Sequence, residues 1–249
     1  MSNSEITKIS RRLFNKVNQT CHKQQLINEG DSILVGLSGG KDSLILLEML
    51  SRVQRSARYK FSVQAIHIHI SNVGYKVNPQ FLEEYCKQLE VPLTIISKEI
   101  DFSKKVSKTE CFYCSWNRRS IIFGFAEERG CNKLAFGHHL DDAVQTIMLN
   151  MIHHGTMSSM PYKLDMFKGK LQLIRPLLDI CENDLIEYSK LVQLPVLAAE
   201  CPYGSDTQRK KMKKIIDEIS TLNQYALKNL FRAPTKVFKD YIPGNIEIV

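Results

Sequence analysis

No stretch of the 249 residues stays apolar long enough to cross a bilayer. Glu5 and Lys8 interrupt the N-terminus before the apolar core of an export signal could form. These two absences set aside membrane spans and secretion, so no membrane partner and a cytoplasmic location are the expectation. Acidic residues are the scarcer charge: 26 Asp and Glu against 34 Lys and Arg leave a net charge of +8 and a pI near 9.1. That bias favours polyanionic partners without identifying one. Internal repeats and low-complexity segments are missing. Seven cysteines in a chain without an export signal argue for thiols, metal binding or catalysis over a disulfide framework. With 43% hydrophobic and 24% charged residues, the chain has the composition of an ordinary globular protein. Its length suffices for one large α/β core with a small helical appendage.

What is present is concentrated first in Ser38-Gly39-Gly40-Lys41-Asp42-Ser43. The apolar run Ile33-Leu34-Val35 with Leu37 reads as a buried strand before it, and Leu44, Leu46, Leu47, Leu50 and Val53 recur at helical spacing after it. A strand, a glycine loop and a helix N-terminus make a phosphate site, because glycines let backbone N–H groups approach an anion and the helix end adds partial positive charge. Ser38 and Ser43 add hydroxyls, Lys41 adds charge, and Asp42 is placed to orient the turn or help hold Mg2+. The loop is not a Walker motif, which would need glycine where Val35 stands.

Read in order, residues 2–28 form a helix with Ile6, Ile9, Leu13, Phe14 and Val17 on one side. Lys8, Arg11, Arg12 and Lys16 lie among them and read as a solvated face, with RNA contact as the competing idea. Residues 61–70 give a second strand on which His67 and His69 share a face. Two histidines without a third ligand fit a pocket mouth better than a metal site. Asn78-Pro79 starts a helix over 78–90, with Cys86 in its core stripe. Residues 91–96 make a third strand, and a charged loop with Lys104, Lys105 and Lys108 follows. Residues 132–136 make a fourth strand, with Cys131 a core position at its start. Cys21 and His22 have no partner at ligand spacing.

Cys111-Phe112-Tyr113-Cys114 opens onto a helix predicted over 115–129. The spacing converges on a metal or a redox pair. No second pair completes a four-cysteine zinc ribbon, and Cys201 is the remaining candidate; Cys181 precedes a separate helix start at 182. Three thiolates with one position open would take an iron–sulfur cluster or a zinc ion, and spacing does not choose between them. Arg118 and Arg119 follow the pair, as cluster or RNA contacts or as plain surface arginines.

After the fourth strand, Gly137-His138-His139-Leu140-Asp141-Asp142 turns into a helix. Ligands of α/β sheets bind at carboxyl ends of strands. Gly137 and His138 are therefore candidates for nucleotide contact, and Asp141 and Asp142 for Mg2+ bridging phosphates. Lys163, after Met160-Pro161-Tyr162, and Arg175, in Ile174-Arg175-Pro176-Leu177, are cations placed to neutralise phosphate. A helix over roughly 182–193 leads to the Cys201 loop. The last helix, from about residue 206, carries Arg209, Lys210, Lys211, Lys213 and Lys214, the densest basic cluster and the first choice for RNA backbone contact. Three segments follow: a helical 1–28, a nucleotide-binding 29–200, and 201–249 with the third-cysteine loop and the basic helices, all in one compact unit.

Together these motifs carry a resemblance. SGGKDS resembles the signature of the PP-loop pyrophosphatases, which cleave ATP between the α and β phosphates. The full series of SGGKDS, CFYC-SWNRR, GHHLDD, MPYKL, IRPL and Cys201 with Gln208-Arg209 looks like the TtcA type of tRNA thiolation enzyme, from about residue 15 to 232. The resemblance implies a doubly wound parallel α/β sheet with flanking helices, a homodimer, and ATP-dependent replacement of the C2 oxygen of tRNA cytidine 32 by sulfur. It further implies ATP on residues 38–43, a [4Fe-4S] cluster on Cys111, Cys114 and Cys201, and a sulfur donor such as a cysteine desulfurase. Gln145 stands where that family has glutamate, and the turn 71–75 lacks its usual acidic residue. Lysidine-forming relatives share the loop but need no cysteine triad. A nucleotide-regulated RNA-binding or metal-sensing protein without chemistry is the alternative of another class.

Overall fold

The computed structural model describes residues 3–73, 77–102, 110–195, 208–242 and 244. Cys201, the loop lysines Lys104, Lys105 and Lys108, and the side chain of Cys111 lie outside what is described. The chain divides into two units. The first comprises Met1–His139 with Pro161–Ser205, and the second Leu140–Met160 with Asp206–Val249.

The first unit is built on a six-stranded sheet: β1 (Ser32–Leu37), β2 (Ser62–Ile70), β3 (Leu93–Lys98), β4 (Lys133–Ala135), β5 (Lys163–Met166) and β6 (Leu171–Ile174), in the order β3-β2-β1-β4-β6-β5. Its helices are α1 (Asn3–Lys23), α2 (Lys41–Ser56), α3 (Pro79–Gln88), α4 (Glu110–Glu128) and α6 (Glu182–Leu191). β1 is central and apolar on both faces because helices cover both sides. Alternation along it sends Ile33, Val35 and Leu37 into one core, with Leu13, Leu44, Leu47 and Leu185, and Leu34 into the other, with Ile66, Ile122, Phe125 and Leu173. Burial decides the fate of two thiols: desolvation pushes Cys21 up to about 12 and Cys86 up to about 11, as for inert core residues.

Three local readings change. The sheet is not wholly parallel, because β5 runs antiparallel to β6. Only a tight turn joins them, with Phe167, Lys168 and Gly169 all at positive φ, and so short a connection cannot make a parallel crossover. β3 starts two residues later than the apolar pattern predicts. Val91 instead closes α3, its N–H donating to the Cys86 carbonyl, with Glu90 left-handed at φ 58. Cys111 and Cys114 lie inside α4, near its start, and not ahead of the helix. The start of α3 is as predicted, with the Asn78 side chain accepting from the N–H of Gln80 and Phe81.

The second unit contains α5 (Leu140–His154), α7 (Gln208–Leu222) and α8 (Ala226–Arg232), with α5 packed against both others. Met212 and Ile216 form the buried stripe of α7 and leave its lysines outward. No helix among the described residues is long and apolar enough to cross a membrane.

Candidate nucleotide and thiol site

Strand order reverses between β1 and β4, and the crevice outside the carboxyl ends of such strands is where doubly wound sheets bind ligands. The loops after β1 and β4 meet there. A Cβ on Gly137 would lie 2.9 Å from the backbone carbon of Asp42 and 3.0 Å from the Ser43 nitrogen. Only glycine permits this approach of the second loop to the first turn of α2. Gly137→Ala is expected to displace that turn, at a cost of about 1–3 kcal/mol, and to weaken ATP binding by about tenfold or more. Calorimetric titration of ATP checks this, with Gly124→Ala as control because a Cβ there meets open space. Wild-type ATP affinity in Gly137→Ala would refute the coupling.

The phosphate loop is closed by its serines. The Ser43 hydroxyl donates to the Gly40 carbonyl at 2.9 Å, the Ser38 N–H donates to Ser43 Oγ at 3.2 Å, and the Gly40 N–H donates to Ser38 Oγ at 3.2 Å. Gly39 turns the chain at φ +85, where a Cβ would also meet Val77 Cγ2 at 2.6 Å. Gly40 occupies the N-cap of α2 with no side-chain cap, so the first-turn amides face outward as an anion cradle. His67 fixes the approach from β1: it is buried, and its Nδ1–H donates to the Leu37 carbonyl at 2.8 Å. Burial lowers its pKa and keeps the ring neutral, against the pull of that carbonyl and with help from the charges of Arg118 and His69.

Lys41 Nζ sits 3.2 Å from Asp42 and 3.1 Å from Glu182 Oε1 at the start of α6. Burial alone would pull its pKa down, but the two carboxylates outweigh burial and leave it above the ordinary lysine value. The ammonium therefore stays protonated and arrives at an anion fully charged. Glu182 was not singled out by its sequence position. It lies 141 residues from Lys41, and its only local sign is a place in a helix first turn.

A cavity of roughly 300 Å3 adjoins the loop, lined by Ser38, Cys114, Arg118, Arg119, Ile122 and Phe136 among others. It sits at the small end of ligand-site volumes, with an apolar floor and a few convergent polar groups. Cys111 and Cys114, three residues apart near the helix start, have the soft donor chemistry that an iron–sulfur cluster or zinc takes. Among the described residues no three His, Cys, Asp or Glu side chains cluster as a metal site, and Cys201 lies outside them.

Arg175 follows β6, is only 8% exposed, and donates from Nη1 to the Pro161 carbonyl at 2.7 Å. Its Nε is buried without a hydrogen-bond partner. Desolvation, and after it the charge of Arg119, lower its pKa, and neither guanidinium has a carboxylate partner among the described residues. An anion would relieve that arrangement. His138 packs its ring against Phe136 at 5.8 Å. Lys163 is exposed on the edge strand β5 and is not among the cavity residues.

In the second unit, Asp141 and Asp142 occupy the first turn of α5. Asp142 Oδ1 lies 3.6 Å from Arg209 of α7, joining a residue expected to hold metal with one expected to touch RNA. Arg209, Lys210, Lys211, Lys213 and Lys214 are all exposed.

A model of the PP-loop domain family matches residues 7–218. The chain is 35% identical over 243 residues to the tRNA-cytidine(32) 2-sulfurtransferase of Burkholderia cenocepacia (strain HI2424), covering 96% of this chain and 73% of that protein. It is 34% identical over 235 residues to that of Chromohalobacter salexigens, covering 92% and 82% respectively. Among solved structures, it is similar in fold to the U34-tRNA thiolase NcsA from Methanococcus maripaludis, determined with its [4Fe-4S] cluster. The TM-score is 0.74 and the identity 22%, over 96% of this chain and 82% of that one.

Proposed function

Because the chain belongs to the PP-loop family and, within it, to the tRNA-cytidine(32) 2-sulfurtransferases, we propose that it is an ATP-dependent enzyme that replaces the C2 oxygen of cytidine 32 in tRNA by sulfur. The observation that carries this reading is one cavity with Ser38 of the phosphate loop and the Cys114 thiol on its walls. Oxygen must be made to leave and sulfur must arrive at the same carbon, so both machineries need to border one space.

The loop serves the first requirement. Lys41 and the first-turn amides of α2 hold the phosphates of ATP, and Ser38, Gly39, Gly40 and Ser43 shape their cradle. The C2 oxygen bonds to the α-phosphorus as the bond to pyrophosphate breaks. Arg175 balances the charge that collects on the departing pyrophosphate. The adenylated oxygen then leaves as AMP when a hydrosulfide-level sulfur bonds to C2. Gly137 and His138 border the nucleotide, and Lys163 is a further phosphate contact. Asp42, Asp141 and Asp142 are hard oxygen donors of the kind Mg2+ takes. A [4Fe-4S] cluster on Cys111, Cys114 and Cys201 would supply the chemistry of sulfur delivery. The apolar floor of Ile122 and Phe136 suits an unstacked pyrimidine, and the anticodon loop is where a base is turned out at modest cost.

Arg118, Arg119 and the basic residues 209–214 are the RNA contacts of this reading. A second copy of the chain, a cysteine-desulfurase-type sulfur donor and a cytoplasmic setting complete it. Nucleoside mass spectrometry of tRNA from cells with and without the gene tests the whole. The expected result is loss of 2-thiocytidine alone. An unchanged set of thionucleosides would rule the activity out.

A further inference from the structure

The first helix carries a feature that the thiolation chemistry does not use. Along α1, Lys8, Arg11, Asn15, Asn18 and His22 recur at steps of three and four, which puts them in one stripe, and all are exposed. The opposite face, Ile9, Leu13, Val17 and Cys21, is buried. The stripe forms the floor of an open groove of about 1170 Å3 whose far wall includes Val53, Ala57 and Tyr59. The Tyr59 hydroxyl donates to the Ile27 carbonyl at 3.2 Å, which steadies that wall. No Asp or Glu lines the groove among the described residues.

Four basic residues of α1 divide into two kinds. Arg12 Nη2 lies 3.0 Å from Asp184 and 3.3 Å from Glu187, and Lys16 Nζ lies 2.9 Å from Asp184. Those two fasten α1 to α6, and their charge is largely spent there. Lys8 and Arg11 make no ion pair among the described residues. The solvated-face reading therefore fits Arg12 and Lys16 least, while Lys8 and Arg11, exposed and outside these ion pairs, are compatible with it and with RNA contact alike.

The geometry points to this groove as a docking face for the sugar–phosphate backbone of the tRNA, separate from the cavity where the base reacts. Cations without counter-ions meet phosphates. Asn15, Asn18 and Gln19 offer amides that both donate and accept, as contact with 2′-hydroxyls requires. From residue 8 to residue 22 the helix rises about 21 Å, enough to follow several phosphates along one strand. A concave, charged wall without base-shaped pockets reads shape and not sequence. The inference rests on the thiolation reading for its RNA, and it adds where that RNA lies.

The test compares wild type with Lys8→Ala/Arg11→Ala, and with Lys8→Glu/Arg11→Glu, in binding to transcribed tRNA across a salt series. ATP titration and thermal melting are run in parallel. Neither substitution touches the buried face, so ATP affinity and melting temperature should stay at wild-type values. The alanine pair is expected to weaken tRNA binding roughly tenfold at physiological salt. The slope of log K against log salt should flatten by about 1.4–1.8, the loss of two phosphate contacts. The glutamate pair should weaken binding further. Unchanged tRNA affinity and slope in both variants, with wild type binding well, would overturn the groove and leave the thiolation reading standing. Lost thiolation at unchanged tRNA affinity would assign the groove to an acidic protein and also overturn it. Wild type that binds no tRNA at any salt would overturn both.

Discussion

Lys41→Met is expected to lower kcat/KM for ATP by roughly 10²–10³-fold, the usual cost of removing one preorganised charge donor from a site where charge develops. The reason is more than a lost attraction. Methionine keeps the apolar stem but removes the cation that sits 3.2 Å from Asp42 and 3.1 Å from Glu182. ATP phosphates would then approach two carboxylates with no positive charge between them, and like charges in a half-buried site repel strongly. A second substitution reports on this directly. Lys41→Met/Glu182→Gln should recover part of the ATP affinity lost by Lys41→Met while leaving turnover low. Steady-state kinetics and ATP titration on the three proteins separate the two effects. Wild-type kcat/KM in Lys41→Met would contradict the phosphate-binding role of the loop.

Cys114→Ala should abolish thiolation, a larger loss than the roughly 10- to 100-fold caused by residues that merely support a metal ligand. It should leave ATP affinity intact, because Cys114 and Lys41 serve different halves of the reaction. Anaerobically prepared wild type is expected to show iron, sulfide and broad visible absorption, all missing in Cys114→Ala. Cys131→Ala provides the contrast. That thiol is buried, is held by the Ser32 hydroxyl and the Gln64 amide, and is raised in pKa chiefly by desolvation. Its loss should cost about 1 kcal/mol of stability and no iron. A colourless wild type holding only zinc would sink the cluster assignment, and iron retained in Cys114→Ala would remove this cysteine from it.

The phosphate loop was legible because strand, glycine turn and helix are consecutive, and each signal is local: buried apolar run, Gly39 forced to positive φ, leucines at helical spacing. The start of α3 at Asn78-Pro79 was legible for the same reason. Neither β6 nor β5 stands out in the sequence: each is only four residues long, and Lys163–Met166 is mostly exposed besides, so neither burial nor period marks β5. Its direction follows from the turn to β6 and not from its own composition. The two cysteines were found, but their placement inside α4 was not, since Cys, Phe and Tyr are all poor helix formers.

Sequence alone therefore determined the class of chemistry: a glycine loop for phosphate, thiols in a pattern for a soft metal or cluster, and basic helices for a polyanion. These are properties of neighbouring residues, and spacing along the chain carries them. Tertiary structure decided which groups share a space. It brought Glu182 to Lys41 across 141 residues, set Gly137 against the first turn of α2, and put Ser38 and Cys114 on one cavity. It also set Arg12 and Lys16 of α1 against the carboxylates of α6 and left Lys8 and Arg11 outside those pairs. Charge compensation and close packing depend on distance in space, and a contact between residues far apart in the chain leaves no periodic trace in either partner.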